Sequence, residues 1–506
     1  MILRNALIST VNNVQATMVA LLITPFIVRH LGQDTYGVWT ILASLMGTCN
    51  ILDLGLAPAL DNALASYRAV GQEREAKETL SSALTMYSLI ALVALGVFAV
   101  VYLGGLYQSK VPPNLRPAFN WALLMLALLA ALGFPRRVFE EILLSREHHH
   151  QVYSVEILAS LTLAGLLLFF LPRGGGLLTM ASIHFWEGLG ILSCVIWLSR
   201  KLWPLGALPR PGWYKDKAWR LIKYALNMLP VIAGSIGLQQ APILLLGAIL
   251  DPAQVAVYAI GGRLLAQERS LVDAGVGVVQ PRYAALVAKE AHGEARALLL
   301  RAGLYSSLLG SFIGMGVALL ARPFYLLWLG QNFADSATVA LLLIGPMTMY
   351  MCVRPCEVML LGIGRHRLIG WVNLSELALV LLLSWPLVKA FGLLAMAALV
   401  GGAMLCLRPL IIPTFACRQL GLRPLDYWRQ GPMRAGLTCL AAALPLGLLF
   451  SQWRVGSWPG LFLAFGAYAL VWLPCALLLG LNAQERAFWR AKLAGARWFS
   501  LFKREK

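Results

Sequence analysis

Continuous apolar runs of about 20 residues recur from one end of this chain to the other, and they limit its folds more than any other feature. A run of that length crosses the hydrocarbon of a bilayer as a helix. Lipid offers the backbone no hydrogen-bond partners, so only helices and closed barrels can span it. Barrel strands alternate apolar and polar residues over about 10 positions, whereas these runs are unbroken stretches rich in Leu, Ala and Gly, which excludes an outer-membrane barrel. Composition points the same way. Of the 506 residues 59% are hydrophobic and only 13% charged, against about 25% charged in a soluble globular chain. The sequence therefore reads as an all-α polytopic membrane protein.

Apolar runs bounded by charged, Gly or Pro turns predict about fourteen helices, starting near residues 6, 37, 80, 117, 152, 177, 219, 254, 298, 337, 368, 392, 435 and 458. The connections are too short for a folded extramembrane domain. The formal net charge of +19 has no polar, basic module to carry it, so nucleic acid is not an expected partner. The basic residues fall instead on alternate loops. About 30 Lys and Arg, including Arg4, the 68–77 loop, 200–223, 282–301, 418–434 and the tail 486–506, lie on one predicted side and about 7 on the other. This places both termini in the cytoplasm. The first segment, carrying Asn12, Asn13 and Gln15, has no short apolar core or cleavage site and reads as a retained helix. The eight cysteines (49, 194, 352, 356, 406, 417, 439, 475) are irregularly spaced within apolar runs, giving neither a disulfide framework nor a zinc pattern.

An internal repeat is the most informative signal. His30 to Trp39 aligns with Ile249 to Tyr258, and Ala6-Leu7 with Ala225-Leu226, at an offset of about 219 residues. At nearly the same offset Asp53-Leu54-Gly55-Leu56 matches Asp273-Ala274-Gly275-Val276, and Arg137 to Glu140 matches Arg354 to Glu357. One repeat spans six helices, an even number, so both copies take the same orientation. The expected layout is an N-terminal lobe over 1–218, a C-terminal lobe over 219–433, and two additional helices with a basic tail over 434–506. The parallel six-helix lobes would face each other across a central cavity. Rocking one lobe against the other would open that cavity to alternate sides, which is transporter architecture.

The residues Asn5 to Asp61, with Pro25 to Gly32, Tyr36-Gly37-Val38-Trp39 and Ile51 to Leu56, resemble the polysaccharide-exporter branch of the multidrug/oligosaccharidyl-lipid/polysaccharide (MOP) superfamily, the O-antigen-type flippases. Motifs of the lipid II flippase branch are not found. The resemblance implies that a lipid-linked oligosaccharide, an undecaprenyl-diphosphate-bound unit, is turned from the inner to the outer leaflet of the bacterial cytoplasmic membrane. It also implies membrane lipids and the polysaccharide polymerase and chain-length machinery as partners.

The residues themselves agree in kind. A diphosphate-sugar head group needs fixed positive charge and hydrogen-bonding groups inside the membrane. In the eighth predicted helix Arg263, Gln267 and Ser270 fall on one face, with Arg263 as the first candidate for binding diphosphate. The plain alternative is an arginine that snorkels or pairs structurally. Arg269 and Asp273 are spaced as a helical ion pair, and Asp273 is the repeat partner of Asp53. Each aspartate either sits in a structural turn or lines the cavity and takes up a coupling ion. Arg137 with Glu140, and Arg354 with Glu357, are three apart on the fourth and tenth helices. They read as helix-internal pairs or as a cytoplasmic gate.

Ser9, Thr10, Asn12, Asn13 and Gln15 in the first helix, and Asn227, Ser235, Gln239 and Gln240 in the seventh, are too polar for a lipid face. They suit sugar recognition or interhelical hydrogen bonds equally. His184, Glu187, Glu156 and Glu376 are further intramembrane ionisable groups without repeat support. The run His148-His149-His150 reads as a solvated loop rather than a metal site, and no phosphate-binding loop for ATP is visible. The sequence thus predicts no catalytic residues, metal or cofactor, and energy from a cation gradient or the membrane potential. Two other functions compete: a small-molecule or drug antiporter of the same superfamily, disfavoured by the basic eighth helix, and a polytopic polysaccharide polymerase or ligase, disfavoured by the absence of a large outer loop.

Overall fold

The computed structural model describes residues 2–203, 209–277, 279–453, 455–482 and 485–487. The basic tail from 488 onward, and the side chains of Arg4, Ser9, Thr10 and Asn13, lie outside the described residues. In chain order the helices are α1 (Ile2–Cys49), α2 (Leu56–Ala69), α3 (Glu73–Leu103), α4 (Arg116–Leu144), α5 (His149–Phe170), α6 (Leu177–Leu202), α7 (Lys215–Ile249), α8 (Pro252–Gly261) and α9 (Arg263–Gly277). They continue with α10 (Gln280–Ala288), α11 (His292–Leu329), α12 (Ala334–Gly362), α13 (His366–Phe391), α14 (Leu393–Cys406), α15 (Arg408–Gln419), α16 (Pro424–Gln430), α17 (Pro432–Gln452) and α18 (Trp458–Cys475). The fold is all-α.

Among the described residues 12 helical segments are long and apolar enough to cross a membrane. The sequence expectation of about fourteen differs for two local reasons. The first two expected helices form the single element α1, which is broken at Gly32, where φ 77° and ψ 168° leave the helical region and only glycine is at ease. The eighth expected helix is divided at Gly262 into α8 and α9, each too short to count alone.

The chain divides into two compact units: Met1–Arg263 with Gln331–Val339 and His366–Ala403, and Leu264–Gly330 with Ala340–Arg365 and Met404–Lys506. In the first unit α4 packs against α3 and α6, α1 against α5 and α8, and α7 against α13. Glycines set the closest approaches there. A Cβ on Gly37 of α1 would lie 1.8 Å from the Pro252 carbonyl oxygen of α8, and one on Gly234 of α7 would lie 2.4 Å from the Asn373 Cβ of α13. In the second unit α11 packs against α17 and α18 around Leu304, Leu308, Leu446, Tyr468 and Trp472. Arg301 of α11 closes that end with an ion pair to Glu485 at 2.9 Å.

The repeat is visible in contacts as well as in sequence. In α1 and α5, Asn12 Nδ2 donates to Glu156 Oε2 at 2.8 Å and Gln15 Nε2 to Ser160 Oγ at 3.0 Å. The positions equivalent to Asn12 and Glu156 in the second copy are Val231 and Asn373. There Asn373 Nδ2 of α13 donates to the Val231 carbonyl of α7 at 3.3 Å.

Candidate functional site

One short 3₁₀ helix carries Asn50 to Asp53 out of α1, and the chain reverses through left-handed Leu54 (φ 53°) and Gly55 (φ 93°) into α2. This turn buries Asp53 to 6% exposure and aims its carboxylate at α3 and α4. Tyr87 of α3 donates its hydroxyl to Asp53 Oδ1 at 2.6 Å, and Arg137 of α4 meets Oδ2 through Nη1 at 2.9 Å. The other arm of Arg137 donates to Asn50 Oδ1 at 2.6 Å. Charge-assisted bonds of this kind fix a guanidinium in both position and plane.

Arg137 therefore does not pair with Glu140, three residues along its own helix. Glu140 pairs with Arg136 at 3.1 Å, four residues back. The across-turn partner wins because Asp53 and Asn50 together offer the guanidinium two acceptors on adjacent donors.

The same pairing recurs in the second unit. Arg354 of α12 binds Asp273 of α9 at 2.5 Å, the repeat counterpart of Arg137 with Asp53. Here Arg354 also keeps its expected helical partner, Glu357, at 2.9 Å. Glu357 is 1% exposed and takes a further ion pair from Arg408 at the start of α15. Arg269 reaches Asp273 at 3.6 Å, as its four-residue spacing predicts. Arg269 and Arg408 both lie over the ring of Tyr350, at 5.5 and 4.7 Å from its centroid. Sequence spacing identified the members of this cluster except Arg408 and Tyr350, and both copies of the Asp–Arg pair join residues far apart along the chain. Its signal was nevertheless present: two opposite charges inside apolar runs, repeated together at one offset.

Arg263 opens α9 directly after the break at Gly262. Its Nη2 donates to Thr24 Oγ1 of α1 at 2.9 Å, while its Nε is buried and makes no hydrogen bond. Gln267 and Ser270 follow on the same helix, Gln267 half-buried and engaged, Ser270 exposed. Gln239 of α7 is exposed and donates to the Ser235 carbonyl one turn earlier at 3.0 Å. Gln240 lies against Gly47 of α1, where a glycine Cβ would come within 2.9 Å of the Gln240 amide. The polar residues Asn12 and Gln15 spend their amides on α5. Arg263 is the cation of this group with donor capacity to spare.

A cavity of about 240 Å³ opens in the first unit between the end of α1, α4 and α6. Asn50, Arg136 and Arg137 line it together with His184 and Glu187 of α6, which approach each other at 3.5 Å, and Trp39 stacks on His184 at 4.8 Å. Sequence reading noted His184 and Glu187 individually. Nothing in their spacing placed them beside Arg137.

A family model described as polysaccharide biosynthesis protein matches residues 2–286. No curated protein matches the sequence. Among solved structures, the lipid II flippase MurJ in an inward closed conformation superposes with a TM-score of 0.72 at 11% identity, covering 97% of this chain and 100% of that one. An inward-facing multidrug resistance MATE family transporter of the MOP superfamily gives 0.57 at 12% identity, over 80% of this chain and 98% of that one. The Vibrio cholerae MATE transporter VcmN in the bent form gives 0.54 at 14%, over 84% and 96%. At such identities the likeness is one of fold.

Proposed function

We propose, from the premise that the chain belongs to the polysaccharide biosynthesis protein family, that it is a flippase for a lipid-linked oligosaccharide in surface polysaccharide assembly, and not an enzyme. The substrate is a sugar unit on a polyprenyl diphosphate, undecaprenyl diphosphate in the O-antigen-type branch that the first 65 residues resemble. It moves from the inner to the outer leaflet of the bacterial cytoplasmic membrane by alternating access between the two repeated lobes, residues 1–218 and 219–433. Both termini lie in the cytoplasm, and a polymerase and chain-length machinery consume the product.

The observation that carries this reading is Arg263. An arginine at membrane depth is costly and marks a polar route. This one starts α9 at the break that divides the eighth expected helix, is held by a single hydroxyl, and retains a buried Nε–H without an acceptor. A diphosphate oxygen supplies that acceptor. Gln267, Ser270 and Arg269 on the same helix, with Gln239 and Gln240, offer further donors for phosphate and sugar hydroxyls. The carboxylate–guanidinium pairs Asp53–Arg137 and Asp273–Arg354, with Glu140 and Glu357, serve as gate or coupling elements driven by a cation gradient or the membrane potential. That MurJ, a lipid II flippase, shares the fold supports a lipid-borne cargo over a soluble drug.

The test is to delete the gene and label the lipid-linked saccharides. The leaflet that holds them is then determined, with complementation by wild type and by Arg263→Ala. The reading expects complete units trapped on the cytoplasmic side, released by wild type but not by stably expressed Arg263→Ala. Normal leaflet distribution in the deletion refutes the flippase. Outward-facing units without long chains point to polymerisation instead.

A further inference from the structure

The two copies of the repeat carry their charges differently. In the second copy the carboxylates Asp273 and Glu357 are matched by Arg354, Arg408 and Arg269. In the first, Asp53 takes Arg137 and Glu140 takes Arg136. That leaves Glu141, on the same helix α4, with no guanidinium of its own. Glu141 is 8% exposed, and its Oε2 is buried without a hydrogen-bond partner. At the repeat offset of Arg137 and Arg354, the counterpart of Glu141 is Val358, which is 2% exposed. The position equivalent to Arg408 is the apolar Ile191 of α6. The fold thus packs this site with a valine in one copy and retains an unmatched carboxyl in the other.

The surroundings of Glu141 oppose a second negative charge. Asp61 of α2, Glu140 of its own helix and Asp53 of the adjoining turn act on it with like charge, and Arg137 with opposite charge. From α3 it faces Tyr87, whose hydroxyl is already donated to Asp53. Glu156 of α5, which acts on the neighbouring Glu140, is held by Asn12. From α6 the charged groups are His184 and Glu187, across the cavity. Burying an ionised carboxylate without a partner is far costlier than burying a neutral one that keeps its proton. The 240 Å³ cavity reaches Asn50 and Arg137, the latter one helical turn before Glu141.

We infer that Glu141 is a proton-binding site of the first unit, taking up one proton from water onto its carboxylate and returning it to water. The added proton neutralises the one unmatched negative charge of the Asp53–Glu140–Glu141 group. Proton binding here does not depend on the cargo proposed above.

Infrared difference spectroscopy of the full-length protein in lipid nanodiscs, titrated with pH, reads protonated carboxyls directly. The expected result is a carboxyl C=O band that titrates in wild type, is lost in both Glu141→Gln and Glu141→Val, and is distinct from any band lost in Glu268→Gln, which removes another buried acid whose Oε2 has no partner. Glu141→Val adopts the residue the second copy already accommodates, and size-exclusion profiles verify that both variants remain folded. A band unchanged in Glu141→Gln overturns the inference. So does a band abolished by sodium at constant pH, which would make the group a metal-cation ligand instead.

Discussion

Removing both partners of the Asp53–Arg137 pair should destabilise the protein by clearly less than the sum of the two single removals. At the observed separation of 2.9 Å, two unit charges attract by about 6 kcal/mol at an effective dielectric of 20. Arg137 keeps a quarter of its side chain exposed, so water screens part of that. Loss of one member of a buried pair typically costs about 3–5 kcal/mol, because the survivor is left charged and unpaired. Asp53→Asn leaves Arg137 with only Asn50, and Arg137→Gln leaves Asp53 with only the Tyr87 hydroxyl. Each is expected to lose about 3 kcal/mol. The double variant leaves no orphan charge and should recover about 2 kcal/mol relative to the sum of the singles. Reversible unfolding in mixed micelles, followed by tryptophan emission, gives the three values for the cycle. Additivity within about 0.5 kcal/mol would refute the pairing argument.

The second copy predicts a milder effect. Asp273→Asn leaves Arg354 paired with Glu357, so its loss should stay below about 1.5 kcal/mol in the same assay, the range of a partly exposed pair. Gly234→Ala places a Cβ 2.4 Å from the Asn373 Cβ. It should cost about 1–3 kcal/mol of stability through separation of α7 and α13, measurable as a lowered midpoint of thermal aggregation. Arg301→Ala removes the ion pair to Glu485. It should speed proteolysis at the end of α18 without changing the core, as limited digestion would show.

How much of this was legible depends on which neighbours a sequence exposes. Membrane helices follow from unbroken apolar length, so the all-α class could be read directly, and a constant offset pointed to the repeat. Spacing also gives same-helix neighbours: Arg269–Asp273 and Arg354–Glu357 form as predicted. It does not give partners across a turn, so Arg137 was assigned to Glu140 although Asp53 and Asn50 hold it. The amides of Asn12 and Gln15 stood out as polar, but their partners Glu156 and Ser160 lie about 145 residues away. Glu141 went unremarked because it has neither a spaced partner nor a charged repeat counterpart. Comparing the structures of the two copies, rather than their identities, is what reveals an unmatched charge.

The close approach of Gly37 to Pro252 joins the start of one copy to the start of the other. Gln33 reinforces it by donating to the Ala253 carbonyl at 3.2 Å. In a duplicated chain this contact ties one copy to the other as an interface ties the subunits of a homodimer. Such a half is not autonomous. The face of α1 that packs on α8 would lose that partner if residues 1–203 were made alone. Two half-length chains are therefore expected to accumulate only when synthesised together, each acting as the chaperone of the other.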